Sequence, residues 1–273
     1  AQDDRERVTR ASDWEPPSAQ LRTASVGGEG GWQEFQTDFP FYAIGASWPV
    51  DIGDWPQIEL KLSNNGENWS ESYFLTADND GGGGTDASAE RRFTPLLHTD
   101  GSQFVQFRTL DADGNAALVS GLRFTYIDAT DGPWEKDIVD EGVGWEIGIQ
   151  SVDTTTPPPI VTRAGWGANE NSRCRNATYD DSVKATTVHH TAGSNNYTEA
   201  QAAGIVRGVY QYHAQTLGWC DVGYNAMVDK YGNIYEGRYG GLDKNVQGAH
   251  AGGFNKGTWG ISILGDYSSV QPS

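Results

Sequence analysis

The chain has 273 residues with 37 acidic and 19 basic side chains, a formal net charge of −18. Residues 1–157 hold 28 acidic against 10 basic residues, whereas residues 158–273 hold nine of each. This distribution argues against nucleic acid or an anionic membrane as the partner, because both need a basic protein surface. No apolar run approaches the roughly 20 residues that span a bilayer. The length allows one or two domains, each with its own core.

The first 25 residues are charged and contain Glu15-Pro16-Pro17, so we expect an extended N-terminal arm over residues 1–25. The start Ala-Gln-Asp-Asp is typical of an exported protein whose signal peptide has been cleaved after a small residue. The sequence therefore predicts a secreted or cell-wall-associated protein.

Short alternating apolar segments follow the arm, with turn clusters between them. Strict alternation is typical of strands that bury one face, and no helical period interrupts it. We therefore predict an antiparallel β-sandwich over residues 26–153, whose role the sequence does not indicate. The three clearest strands are Ile58–Leu62, Phe104–Arg108 and Leu122–Tyr126, and the turns are residues 64–66, 80–84 and 111–115.

Four tryptophans of this region, Trp32, Trp48, Trp55 and Trp69, allow two interpretations. Exposed aromatic rings can stack on sugars, which would make the region a glycan-binding module. Tryptophans of a sandwich are more often core or edge residues, and we favour that interpretation.

Acidic residues at 111 and 113 with Asn115 give the segment some likeness to a calcium loop. Its glycine stands at the fourth position instead of the sixth, and no glutamate follows at the right distance. We therefore predict a hairpin turn here. The acidic excess of the region is interpreted as a solubilising surface, with calcium binding as the alternative.

A run of threonines and prolines, residues 154–159, is predicted to be a stiff linker. The C-terminal domain then covers residues 160–273. Thr198 and Gln201 form a capping box, and the residues after them have a helical apolar period. With a hairpin at residues 226–235 and a strand at Gly260–Leu264, the segment predicts an α/β sheet with a helix packed on it, giving an α+β chain of two domains.

Two adjacent histidines, His189 and His190, end a β-favouring run and open into a polar loop. Side chains alternate along a strand, so the two rings face opposite sides. A histidine at a strand end is well placed as a metal ligand. The alternative is a surface pair without a function.

The two cysteines, Cys174 and Cys220, lie in the same predicted domain of an exported protein. This arrangement favours a disulfide. The alternative is that Cys220 acts as a nucleophile or a zinc ligand.

The C-terminal motifs together resemble the peptidoglycan recognition protein family, which is similar to the phage-lysozyme type of zinc N-acetylmuramoyl-L-alanine amidase. The resemblance covers about residues 160 to 267 and says nothing about residues 1–157. The motifs are Arg163-Ala-Gly-Trp-Gly-Ala168, the His189-His190-Thr191 stretch, Gly218-Trp-Cys-Asp-Val-Gly-Tyr-Asn225, Asp229–Arg238, Gly248–Asn255 and Trp259–Tyr267.

This resemblance implies a secreted enzyme that uses zinc to cleave the bond between N-acetylmuramic acid and L-alanine in peptidoglycan. His189 takes the place of a zinc ligand and Tyr224 that of the catalytic tyrosine. Four residues are implied to belong to the substrate cleft: His190, Trp219, His250 and Asn255. Of these, the His190 ring is expected to point the other way from His189 and to pack or hydrogen-bond there. From the residues alone, His189 and His250 would be an obvious zinc pair, but the resemblance makes His250 a cleft residue.

The pattern departs from the family at its end, where the chain stops at Ser273, six residues after Tyr267. In the family a histidine and then a cysteine or aspartate complete the zinc site, so the resemblance places the other two ligands beyond Ser273. We therefore expect an incomplete domain that binds zinc poorly and lacks activity by itself. A non-catalytic peptidoglycan binder and a wall-associated scaffold remain as alternatives; keeping His189 and Tyr224 favours the enzyme.

Overall fold

The computed structural model describes residues 10–14, 32–77, 90–132 and 158–272. These residues fall into two compact units, one built on residues 10–14, 32–77 and 90–129 and one on residues 130–132 and 158–272. The predicted linker over residues 154–159 lies outside the described residues except for Pro158 and Pro159. Within the described ranges, no helix has the length and apolar character needed to cross a membrane.

The N-terminal unit is a sheet of seven antiparallel strands in the order β1-β7-β2-β6-β3-β4, with β5 paired to β2. Arg10–Trp14, inside the predicted arm, forms β1 and pairs with β7. The antiparallel β class is thus confirmed, and a sandwich of two sheets stays a prediction. The strands are β1 Arg10–Trp14, β2 Gln33–Pro49, β3 Gln57–Ser63, β4 Tyr73–Leu75, β5 Arg91–Phe93, β6 Leu97–Leu110 and β7 Arg123–Asp128.

The core of this unit follows the alternation of the sequence. Ile58, Leu60 and Leu62 on β3 are buried, as predicted. Leu60 lies opposite Phe107 of β6, whose ring centroid is 4.9 Å from that of Phe124. These edge-on aromatic contacts add to the burial of apolar surface, which is the main stabilising term.

The tryptophans divide between core and surface. Trp48 is fully buried and donates its indole N–H to the carbonyl of Gly53 at 2.8 Å. Trp32 and Trp55 are 36% and 39% exposed, so they are not core residues, and of the favoured interpretation only an edge position remains for them. Trp32 precedes β2 and Trp55 precedes β3, so both lie outside the strands. The alternation of buried and exposed side chains within a strand therefore does not determine their exposure.

The segment around Asp111 is the predicted hairpin turn. One carboxylate oxygen of Asp111 accepts the backbone N–H groups of Asp113 and Asn115 at 2.9 and 2.8 Å. The carboxylate thus completes a turn of the backbone, as aspartates commonly do.

The histidine of β6, His98, is expected to make this unit sensitive to acid. Its side chain is buried, its Nε2 has no hydrogen-bond partner among the described residues, and burial lowers its pKa to about 4. The folded state binds fewer protons than the unfolded state, in which the pKa is about 6.5. Stability is therefore full above pH 6.5 and falls by about 3 kcal/mol as the pH drops towards 4.

Hydrogen exchange of β6 between pH 7 and 4, corrected for intrinsic exchange rates, measures this loss. His98→Leu removes the titrating group, so the variant should keep its protection of β6 over the same pH range. The same loss of protection in both proteins would contradict the assignment.

The C-terminal unit is a five-stranded mixed sheet in the order β8-β11-β10-β12-β9. The β10–β11 pair is the predicted antiparallel hairpin, and the other pairs are parallel. The mixed α+β class is thus confirmed. The elements are β8 Ile160–Val161, α1 Arg163–Trp166, β9 Ala185–His190, α2 Glu199–Gln211, a π-helical turn Tyr212–Thr216, β10 Ala226–Val228, β11 Ile234–Glu236 and β12 Thr258–Ile263.

The long helix α2 begins after Thr198, where the sequence places its N-cap. The Gln201 side-chain oxygen accepts the backbone N–H of Thr198 at 2.7 Å, so the predicted capping interaction is present. Its apolar face includes Val206 and Val209, in one core with Met227 of β10. The helix thereby covers one face of the sheet and leaves the strand ends to form a site.

Candidate active site

The histidine pair ends β9, which lies at the edge of the described sheet. His189 is in register with Ser262 of β12 and His190 with Ile263, so the two rings face opposite sides. His190 Nδ1 accepts the backbone N–H of Tyr267 at 2.8 Å and lies 3.5 Å from a carboxylate oxygen of Asp266. His190 therefore contacts the turn after β12, while the His189 ring lies on the opposite face of β9.

A second histidine, His250, meets His189 on that other side. Its Nδ1 lies 3.0 Å from His189 Nε2, and the ring is almost fully buried. The Asn255 side-chain oxygen accepts the backbone N–H groups of His250 and Ala251, both at 2.8 Å. The structure therefore brings together His189, His250 and Asn255, with Asn255 shaping the loop that carries His250.

Tyr224 completes the cluster. Its ring centroid is 5.5 Å from that of His189 and 5.4 Å from that of His213. His213 comes from the π-helical turn, and its Nδ1 accepts the N–H of Gly223 at 3.1 Å. Trp219 is buried against His213, with ring centroids 4.6 Å apart. The Tyr224 ring thus lies between the rings of His189 and His213, and His213 also accepts a hydrogen bond from the backbone of the preceding residue, Gly223.

His213 escaped the sequence analysis because it lies outside every motif considered there. One signal could have found it. Position 213 falls four residues after Val209 and three after Tyr210, so it continues the buried face of the helix. A histidine on a buried helical face needs a specific partner, and here that partner is the loop that leads to Tyr224.

The buried histidines are held in their neutral form. Burial lowers the pKa of His213 to about 3, with a smaller contribution from the positive charge of Arg238. Burial also lowers the pKa of His250 to about 4, with a smaller contribution from His189. At neutral pH these two rings can therefore donate and accept hydrogen bonds without carrying charge.

A charged network fixes the loop before Tyr224. Arg163 donates to Asp221 at 3.1 Å, and the same carboxylate accepts the backbone N–H groups of Val222 and Tyr239 at 2.8 and 2.9 Å. Arg238 donates to the carbonyl of Val222 at 2.9 Å. Because these groups are buried and mutually hydrogen-bonded, the loop has little freedom to move.

The predicted disulfide between Cys174 and Cys220 is confirmed. Cys220 is therefore neither a nucleophile nor a metal ligand. Its backbone has φ 66°, a conformation rare outside glycine, in the same loop that carries Trp219 and Tyr224. The bridge thus anchors this loop to the segment after α1.

Removing the bridge is expected to destabilise the C-terminal unit. The cysteines are 46 residues apart, and a loop of that size corresponds to about 4 kcal/mol of unfolded-state entropy. The double variant Cys174→Ser, Cys220→Ser should lose stability of that order in urea unfolding. The parent protein, unfolded without reductant, should show no free thiol; two reactive thiols would contradict the pairing.

A zinc site is only partly represented in the described residues. His189 offers an imidazole nitrogen, a donor that zinc prefers. Among the described residues no group of three histidine, cysteine, aspartate or glutamate side chains could hold a metal ion. Catalytic zinc sites have three protein ligands, so His189 fits as one ligand of a larger set. The placement of the other two ligands beyond Ser273 stays a prediction, and Ser273 itself lies outside the described residues.

Comparison with known proteins agrees with the motifs. A family model for N-acetylmuramoyl-L-alanine amidase matches residues 179–273. Peptidoglycan-recognition protein SC2 of Drosophila simulans is 38% identical over 111 residues, or 40% of this chain and 56% of that protein. The C-terminal part of the chain is similar to members of the peptidoglycan recognition protein family.

Other family members match the same part of the chain. Peptidoglycan recognition protein 1 of Bos indicus is 40% identical over 114 residues, which cover 41% of this chain and 57% of the relative. The solved structure of human PGRP-IBETAC with glycosamyl muramyl pentapeptide is 30% identical and covers 43% of this chain and 67% of that chain. The TM-score of this match is 0.35. The chain spans a little over half the length of these two curated relatives.

Proposed function

We propose that the protein is a peptidoglycan hydrolase that cleaves the amide bond between N-acetylmuramic acid and L-alanine. The observation that carries the proposal is the placement of the Tyr224 ring 5.5 Å from His189, at the positions where the motifs expect both. The match of residues 179–273 to an amidase family supports it. Intact peptidoglycan, with its glycan strand and stem peptide, is the proposed partner.

The two site residues have separate roles in this proposal. His189 is a ligand of a zinc ion. When bound, zinc lowers the pKa of its water to about 7 and polarises the scissile carbonyl. Tyr224 donates a hydrogen bond from its hydroxyl to the carbonyl oxygen as negative charge develops there. His213 stays neutral and holds the Gly223 N–H, which keeps the backbone of Tyr224 in place.

The surrounding residues shape the substrate site in the same proposal. Trp219, His250 and Asn255 form its walls, and His190 supports β9 from the opposite face. The C-terminal half carries balanced charge, so neither nucleic acid nor a membrane is proposed as a partner. The disulfide is in keeping with an oxidising, extracellular location, which makes secretion part of the proposal.

A non-catalytic peptidoglycan binder is the second candidate. The observation that favours it is the lack, among the described residues, of a three-ligand metal group. Such a protein would use the same residues to hold the glycan and the stem peptide without cleaving the amide.

Measuring new amino termini separates the two candidates. Amide cleavage releases stem peptides with a free L-alanine amino group and leaves the glycan strand uncut. The assay incubates the full-length protein with purified peptidoglycan and added zinc, labels free amino groups, and sizes the glycan strands. New L-alanine amino termini support the hydrolase. Sedimentation of the protein with peptidoglycan, without new termini, supports the binder. If the protein neither releases termini nor sediments with peptidoglycan, both candidates are contradicted.

We further propose that the predicted β-sandwich of residues 26–153, together with strand β1 at Arg10–Trp14, and residues 160–273 are separate domains joined at residues 154–159. Each unit has its own sheet and its own core, which supports separate folding. Limited proteolysis should cut near residues 154–159 and release two folded pieces. Circular dichroism of the first piece should show β structure; substantial helix would contradict the proposal.

A further inference from the structure

We propose that His250 positions His189 by accepting a hydrogen bond from its Nε2–H, which leaves the metal-binding lone pair of His189 on Nδ1. This inference rests on the proposed role of His189 as a zinc ligand. It makes His250 a positioning residue that touches a ligand, instead of a second ligand. The hydrogen-bond network around the two rings determines the direction of each bond.

The network starts at Thr258 on β12. Its hydroxyl oxygen lies 2.7 Å from the carbonyl oxygen of Phe254 and 3.3 Å from that of Asn255. Carbonyl oxygens only accept, so the single hydroxyl hydrogen of Thr258 points towards them. The same hydroxyl lies 3.4 Å from His250 Nε2 and can act there only as an acceptor. His250 therefore carries its hydrogen on Nε2.

The direction of the next bond follows from the chemistry of imidazole. A neutral imidazole carries hydrogen on one nitrogen and a lone pair on the other. With hydrogen on Nε2, the Nδ1 of His250 is an acceptor. His189 Nε2 lies 3.0 Å from it and must therefore donate. Neutral His189 then keeps its lone pair on Nδ1, the form in which a histidine binds a metal through that atom.

The His250 ring is held firmly enough to enforce this choice. A Cβ placed on Gly260 would collide with the ring, and so would one on Gly248, so the ring lies in a slot that the two glycines leave open. Asn255 fixes the backbone on which the ring stands. Outer hydrogen bonds of this kind set the tautomer and orientation of metal-binding histidines in general.

Nitrogen NMR tests the assignment in the metal-free chain, where activity plays no part. The chain has five histidines, so labelling only these gives few resonances. We expect hydrogen on Nε2 of both His189 and His250, with a scalar coupling through the hydrogen bond that joins His189 Nε2 to His250 Nδ1. Hydrogen on His250 Nδ1, or no coupling, would overturn the proposal.

Zinc titration followed by the same resonances tests the consequence for the metal. We expect zinc to shift the Nδ1 resonance of His189 while the coupling to His250 persists. A shift on Nε2 of His189, or direct binding to His250, would overturn the proposal. If this result holds and the full-length protein releases no new L-alanine amino termini, the proposed hydrolase is contradicted and the positioning role stands.

Two substitutions of His250 separate positioning from packing. His250→Asn keeps an acceptor oxygen at the place of Nδ1, whereas His250→Leu keeps bulk without an acceptor. We expect zinc affinity to fall by about tenfold or more in the leucine variant and to be largely retained in the asparagine variant. Equal affinities in parent and both variants would overturn the role. If the leucine variant fails to fold, the coupling in the parent protein decides.

Discussion

Tyr224→Phe is expected to slow peptidoglycan amide hydrolysis by about 10²–10³-fold in the active protein, the usual effect of removing one oxyanion donor. The variant keeps the ring that packs between His189 and His213 and loses only the hydroxyl. Zinc affinity should therefore stay the same. Release of L-alanine amino termini measures the rate, and a zinc titration measures the metal.

Tyr231→Phe is the matched control. This substitution also removes one tyrosine hydroxyl, which donates to the carbonyl of Tyr197 at 2.9 Å, but Tyr231 lies in the turn between β10 and β11. Its rate should stay at the parent level. Equal slowing of both variants would point to lost stability, and an unchanged rate in Tyr224→Phe would remove Tyr224 from the chemistry.

His189→Ala is expected to abolish zinc binding and amide hydrolysis together. A zinc site with three protein ligands tolerates the loss of one poorly, because each ligand contributes much of the binding free energy. We also expect zinc to bind the 273-residue chain weakly, because His189 is the one zinc ligand of three that the motifs assign within it. Isothermal titration at neutral pH measures both effects.

His190→Ala is the control for this pair. His190 faces the opposite side of β9 and contacts the 266–267 turn, so its loss should leave zinc binding in place. Tight, stoichiometric zinc binding by the 273-residue chain would contradict the ligand assignment. His250 would then be the first residue to test as a second ligand, through its 3.0 Å approach to His189.

Much of this fold follows from local pattern. Alternation in Ile58–Leu62 predicted both a strand and its buried face, because burial of a sheet follows a period of two. The capping box at Thr198 predicted where α2 begins, because both partners lie within one turn. In each case the residues that decide the outcome are neighbours in sequence.

Local sequence patterns did not predict the features that depend on contacts between residues far apart in the chain. Arg10–Trp14 looked like part of an arm, yet it pairs with β7, more than a hundred residues later. The approach of His250 to His189 depends on the β9–β12 register and on two glycines that no local rule marks. Likewise, His213 contacts the Tyr224 loop only because the helix and that loop pack together.

The parallel pairing of β9 with β12 also has a consequence for how the site is made. His189 and His250 are 61 residues apart, so their contact requires closure of a long loop before any local gain in free energy. The nascent chain therefore cannot assemble these two rings until residue 263, the end of β12, has left the ribosome. Helix α2, with contacts that are local, can form earlier. The histidine pair is thus among the late-forming parts of the domain.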